Sequence, residues 1–173
     1  MDLRGHIRDI PDYPKPGIVF KDITPLFLDP EALDQAITRL AAWAGDLEVD
    51  YVVAAEARGF ILGGAVASRI GAGFVPARKP GKLPRETASV EYALEYGIDA
   101  LEVHSDAFAD GSRVLVHDDL LATGGTAEAC CRLVESAGAE VAGCAFVVEL
   151  AFLEGRRTLS RYDVHALVGY DEP

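Results

Sequence analysis

The sequence has little from which to build a disulfide framework, a zinc site or a basic surface. Its three cysteines, Cys130, Cys131 and Cys144, are odd in number and lack CxxC spacing, so they are expected as small core or helix residues. Lysine occurs at only four positions, Lys15, Lys21, Lys79 and Lys82, and the formal net charge is -12. A nonspecific grip on nucleic acid needs a broad basic face, so no nucleic-acid partner is expected. No apolar run approaches the ~20 residues of a membrane span, and neither end has a signal-peptide pattern. A soluble chain in the cytoplasm, with no membrane partner, is the expectation. No repeat or low-complexity linker interrupts the sequence, and no residue is assigned as a metal ligand.

What is present suits one domain over residues 1–173, half of it hydrophobic. The most informative stretch is RVLVHDDLLATGGTAEACCRLVESA, from Arg113 to Ala137. The apolar run Val114-Leu115-Val116 breaks into Asp118 and Asp119, then into the small turn Ala122-Thr123-Gly124-Gly125-Thr126. Beyond the turn, Ala127, Cys130, Leu133, Val134 and Ala137 recur at steps of three and four, and Gly138 is a helix stop. The pattern is strand, loop, helix. Unpaired N–H groups at a helix start, approached through two glycines and flanked by Thr123 and Thr126, form an anion cradle, with phosphate the obvious guest. Carboxylates at the strand end suit sugar hydroxyls or a hard cation. Gly-Gly alone is equally an ordinary βα turn; the whole constellation argues for the cradle. His117 reads as a packed, hydrogen-bonded residue.

A second corner of this kind follows Tyr51-Val52-Val53-Ala54-Ala55. There Glu56-Ala57-Arg58-Gly59 leads into a helix from about Phe60 to Ile70. Asp29-Pro30-Glu31 is a helix start, with Leu33, Ala36, Ile37, Leu40 and Ala44 as its buried stripe. Further strands are expected at 73–78, 141–149 and 163–168. The proline-rich segment IRDIPDYPKPGIVFKDITPLF excludes a long helix or a central strand. Composition leaves open whether it is a lid over a planar ligand or a packed arm. From Lys79 to Asp110 no long periodic element appears; short alternating pieces, 89–95 and 100–104, suggest a hairpin flap.

VLVHDDLLATGGT resembles the phosphoribosyl-pyrophosphate (PRPP) motif of type I phosphoribosyltransferases, with His117 where an aliphatic residue is commoner. PGIVFKDITPLF and EARGFILG resemble segments of the adenine phosphoribosyltransferases in particular. The resemblance covers almost the whole chain. It implies an α/β fold, a mostly parallel twisted sheet flanked by helices, with a hood over residues 1–28 and a flexible loop over 79–110. By the same resemblance, Asp118 and Asp119 hold ribose hydroxyls, while Ala122, Thr123, Gly124, Gly125 and Thr126 hold the 5'-phosphate. Ala57, Arg58, Lys79 and Lys82 contact pyrophosphate. Val19, Phe20, the backbone of Lys21 and Leu150 contact adenine, Glu95 is a carboxylate near the purine imidazole ring, and Tyr96 is its neighbour. Arg58, Glu95 and Tyr96 are the implied catalytic residues. The implied substrates are PRPP and adenine, the cofactor is Mg2+ bound mainly through PRPP and pyrophosphate, and the assembly is a homodimer.

Overall fold

The computed structural model describes residues 1–93 and 97–173. Its centre is a five-stranded, wholly parallel sheet in the order β4-β3-β7-β8-β9. The strands are β3 (Tyr51–Ala55), β4 (Gly73–Ala77), β7 (Arg113–Leu121), β8 (Glu140–Leu150) and β9 (Val164–Tyr170). Two short antiparallel hairpins lie outside it: β1 (Arg8–Pro11) with β2 (Val19–Asp22), and β5 (Thr87–Ala93) with β6 (Ile98–His104).

Alternation along the central strands sorts side chains onto two faces. Val53, Val114, Val116 and Phe146 pack with helix α4 (Gly125–Ser136) and with Tyr92, Leu101 and Val103 of the β5–β6 hairpin. Val52, Leu115 and Ala145 pack on the other face against α2 (Pro30–Gly45) and α3 (Gly59–Ile70). A sheet buried on both faces explains the near-continuous apolar runs. Cys130, Cys131 and Cys144 are free thiols in the first of these cores.

Helix α2 starts where its sequence requires. The Asp29 side chain accepts from the Glu31 and Ala32 N–H groups, and Pro30 occupies the first turn. Its buried residues are Ala32, Ala36, Leu40, Ala41 and Ala44, with Leu33 and Ile37 only half-buried. Helix α3 ends at Gly71, left-handed at φ 74°.

Several strand boundaries depart from expectation. Strand β7 does not stop at the apolar run: it continues through the acidic pair to Leu121, because β8 pairs with it as far as Leu121↔Glu149. The flap strands begin earlier than expected, at Thr87 and Ile98, since Thr87 pairs with His104 and Ala93 with Ile98; residues 94–95 of the first expected piece lie outside the described residues. Strand β9 runs on to Tyr170, paired with Leu150.

Strand order decides where a ligand binds. From β3 the chain crosses through α3 to β4 on one side, and from β7 through α4 to β8 on the other. The direction of winding therefore reverses between β3 and β7. Open parallel sheets bind ligands in the crevice beyond the carboxyl ends of the strands at such a switch point.

Candidate active site

The loops after β3 and β7 both open into that crevice. The β3 loop, Glu56-Ala57-Arg58, leads into α3, whose first residue is Gly59. A Cβ at Gly59 would lie 2.9 Å from Asp118 Oδ1, so glycine lets the helix start approach the acidic pair. The Arg58 guanidinium reaches across, its Nε 2.8 Å from Asp119 Oδ2.

The two aspartates differ. Asp119 is buried under Arg58. Asp118 keeps a narrow accessible edge, but its carboxyl is hemmed in by protein, and Oδ1 accepts the Asp119 N–H at 2.9 Å. Burial first, then the neighbouring Asp119 charge, push Asp118 well above the usual carboxylate range. His117, one residue earlier, is buried, its Nδ1 is 2.9 Å from the Ala145 carbonyl, and burial lowers its pKa to about 4. It is a neutral core residue, as its place at a strand end suggested.

After β7, the turn 122–126 feeds α4. Gly124 caps the helix at φ 89°, a conformation other residues rarely adopt, and the Glu128 N–H already bonds its carbonyl. A cavity of about 630 Å³ lies over this turn, lined by residues 120–127 with Tyr92, Ala93 and Leu153. A second, of about 180 Å³, is lined by Glu56, Ala57, Arg58, Lys79, Asp118, Asp119, Tyr92, Leu101 and Thr126. Tyr92 and Thr126 border both, so the glycine turn, the acidic pair and the arginine loop share one crevice.

Strand β5 roofs the cradle. Its Glu91 carbonyl accepts from the Arg132 guanidinium of α4, and a Cβ at Gly125 would sit 3.6 Å from the Ala93 carbonyl. Lys79 forms an ion pair with Asp99 of β6 and lies 3.4 Å from the Tyr92 hydroxyl. Burial works against the Lys79 charge, but Asp99 and Tyr92 outweigh it and raise its pKa. Lys82 pairs with Glu56, which also accepts from Arg78 Nε at 3.0 Å and the Lys79 N–H at 2.9 Å. Burial opposes ionisation of Glu56, yet Lys82 and these donors hold its pKa below the ordinary value. Both lysines expected at pyrophosphate thus converge on the arginine loop, each held by a carboxylate.

The hood also converges. The Arg58 guanidinium lies 5.6 Å over the Phe20 ring, and Tyr13 meets Phe20 edge-on at 5.3 Å. Val19 pairs with Pro11 beside it. The Lys21 side chain turns away from the crevice: it is buried, 3.0 Å from Asp9 and 4.4 Å over the Tyr170 ring. Leu150 ends β8 at the carboxyl edge of the sheet, half-buried in the second core. Glu95 and Tyr96 lie outside the described residues.

Sequence reasoning missed Glu56, Tyr92 and Asp99. Glu56 stood in a quoted motif, but its cation partners are more than twenty residues away and emerge only with the fold. Tyr92 faces the turn, and Asp99 opposite it reaches Lys79, because of hairpin register, which no local pattern prints.

The comparisons with known proteins agree with this geometry. A phosphoribosyl transferase domain family matches residues 27–166. The chain is 59% identical to an adenine phosphoribosyltransferase of Rubrobacter xylanophilus over 99% of its own length and 93% of that protein's. It superposes on the crystal structure of adenine phosphoribosyltransferase from Thermoanaerobacter pseudethanolicus with a TM-score of 0.94, at 52% identity, covering 97% of this chain and 98% of that one. The Saccharomyces cerevisiae adenine phosphoribosyltransferase, complexed with adenine and an imino-altritol bisphosphate, gives 0.88 at 40% identity, covering 95% and 96% of the two chains. With a parallel sheet wound about this switch point and the match running through the hood, the arginine loop and the cradle, the chain belongs to the adenine phosphoribosyltransferase family of phosphoribosyl transferase domains.

Proposed function

We propose that the chain transfers phosphoribose from PRPP to N9 of adenine, giving AMP and pyrophosphate. The observation that carries the reading is the convergence of three chemistries on one crevice. A helix-start cradle suits a phosphate, an acidic pair suits a sugar, and Arg58 stands between that pair and the hood aromatic Phe20.

In this reading the 5'-phosphate sits against the N–H groups of the 122–126 turn and the hydroxyls of Thr123 and Thr126. Asp118 and Asp119 accept from the ribose hydroxyls. Ala57, Arg58, Lys79 and Lys82 take the pyrophosphate as it leaves, and glycosyl chemistry places its departure ahead of attack. Adenine lies against Val19, Phe20 and Leu150. The Lys21 backbone offers one carbonyl and one N–H to the adenine amino group and N1, a pattern hypoxanthine and guanine reverse. Glu95 manages a proton at N7, easing loss of the N9 proton, with Tyr96 beside it.

Mg2+ belongs to this proposal as well. It would be carried chiefly by diphosphate oxygens, and Asp118 and Asp119, which line the same small cavity as Ala57, Arg58 and Lys79, are carboxylates that would face it. Bound there, it would supply charge neutralisation for the leaving group. A homodimer in the cytoplasm completes the reading; sedimentation and cell fractionation test those two parts.

The direct test is an endpoint assay with PRPP, Mg2+ and, separately, adenine, hypoxanthine, guanine, xanthine and orotate, reading nucleotide and pyrophosphate together. AMP alone is expected. A different nucleotide would keep the cradle and overturn the hood assignment. No product despite PRPP binding would instead favour a nucleotide-sensing regulator.

A further inference from the structure

The cradle is not held by its own strand and helix alone. After β8 the chain makes a 3-10 turn, Ala151–Leu153, then a short helix α5, Gly155–Thr158, and α5 is pressed against the outside of the cradle turn. A Cβ at Gly155 would fall well inside contact distance of the Ala122 carbonyl and 2.8 Å from Leu121 Cδ1. A Cβ at Gly124 would fall 2.9 Å from both the Gly155 carbonyl and Thr158 Cβ. Two backbones therefore meet with no side chain between them. The Thr158 hydroxyl then donates to the Thr123 carbonyl at 2.7 Å.

Helix α5 is fixed in turn. Arg156 grips Glu149 through Nε and Nη2, at 2.7 and 2.8 Å, and donates from Nη1 to the Val164 carbonyl at 2.8 Å. Glu149 is buried and immediately precedes Leu150. A bidentate pair of this kind fixes orientation as well as distance. Leu159, the residue after α5, is fully buried in the first core, and Leu153 lines the cradle cavity. The segment is thus anchored at both ends, and its middle bears on the turn.

We propose that Gly155 and Thr158 are positioning residues that set the shape of the 5'-phosphate cradle, with Arg156 and Glu149 as the anchor of that brace. The inference rests on reading the 122–126 turn as the phosphate site. The turn carries two adjacent glycines, so its own backbone leaves many conformations open. A cradle aims several N–H groups at one anion only if the conformation is selected beforehand, and α5 supplies the selecting contact. Neither residue reaches the cavity side of the turn; each acts through the residues 122–124.

The test compares three variants with the wild-type enzyme: Thr158→Val, Gly155→Ala and, as the cradle's own control, Thr126→Val. The readouts are kcat, the separate KM values for PRPP and adenine, and AMP affinity by calorimetry. Thr158→Val keeps the shape and removes one hydrogen bond; KM for PRPP and the Kd of AMP should rise about threefold to tenfold, with KM for adenine unchanged. Thr158→Ser should restore both. Gly155→Ala, whose methyl displaces the Ala122 carbonyl, should raise both further; if it does not fold, Thr158→Val carries the test. An unchanged KM for PRPP in Thr158→Val, beside a raised one in Thr126→Val, would overturn the brace and leave the cradle standing. No change in either variant would overturn the cradle assignment and the brace with it. Equal increases for PRPP and adenine would reduce α5 to a general structural role.

Discussion

At the residue scale, the sugar-binding role proposed for the acidic pair is set against stability. Asp118 is held well above the usual carboxylate range by burial and by the Asp119 charge beside it. The folded chain therefore binds a proton on Asp118 at pH values where the unfolded chain has released it. Stability from that proton is complete below the unfolded value, near 3.8, and is lost as pH rises through the raised folded value. Ionising Asp118 in the folded chain therefore costs more than ionising it in the unfolded chain. Asp118→Asn keeps an oxygen for the Asp119 N–H and removes the charge. It should stabilise the unliganded protein at pH 7–8 by about 1–3 kcal/mol, roughly 3–10 °C in Tm, while turnover falls to background. The gain should shrink as pH is lowered toward 4. Thermal melts of the two proteins across that range, beside the activity assay, check both parts. A loss of Tm at pH 8 would mean that Asp118 stabilises the fold rather than straining it.

At the element scale, the hood is placed by a side chain whose sequence reading concerned only its backbone. Lys21 is 3% exposed, its ammonium 3.0 Å from Asp9 on the paired strand and 4.4 Å over Tyr170 of β9. Arg4 lies over the same ring at 4.4 Å. A hairpin of two four-residue strands is marginal by itself, and this clasp adds a tie between the hood and the central sheet. If only the docked hood binds adenine, undocking weakens apparent affinity in proportion. Lys21→Met, which keeps the stem and removes the charge, should raise KM for adenine roughly tenfold with KM for PRPP unchanged; Lys21→Arg should recover most of the loss. A rise shared by both substrates would count against the clasp. What was legible in the sequence follows the same division. The Asp29 cap, the α4 face through Cys130 and Leu133, and the glycine turn that starts α4 at Gly124 are local patterns, and each stands where the sequence put it. The Lys21 clasp, the Glu56 cluster and the α5 brace are pairings between distant segments, set by register and winding. The acidic pair lies between these cases. Its residues were evident, but their place inside β7 depends on β8 continuing beside them, and no apolar run announces that.

At the scale of the whole molecule, a chain of net charge -12 has to admit a polyanion. Close to the crevice the charges nearly cancel. Arg58 pairs with Asp119, Lys79 with Asp99, and Arg78 and Lys82 with Glu56. At a distance, therefore, PRPP meets the repulsion of the whole acidic surface rather than the pull of a basic funnel. Salt acts on these two contributions unequally. The Debye length falls from about 30 Å at ~0.01 M to about 8 Å at ~0.15 M, which removes most of the long-range repulsion but little of a contact only a few ångströms long. Adenine is neutral and feels neither effect at long range. The expected outcome is that kcat/KM for PRPP rises about twofold to fivefold as sodium chloride is raised through that range at fixed free Mg2+, while kcat/KM for adenine at saturating PRPP stays flat. A fall for PRPP would show that the local cations steer it in spite of the surrounding charge, and that the carboxylates pairing them release before the substrate arrives.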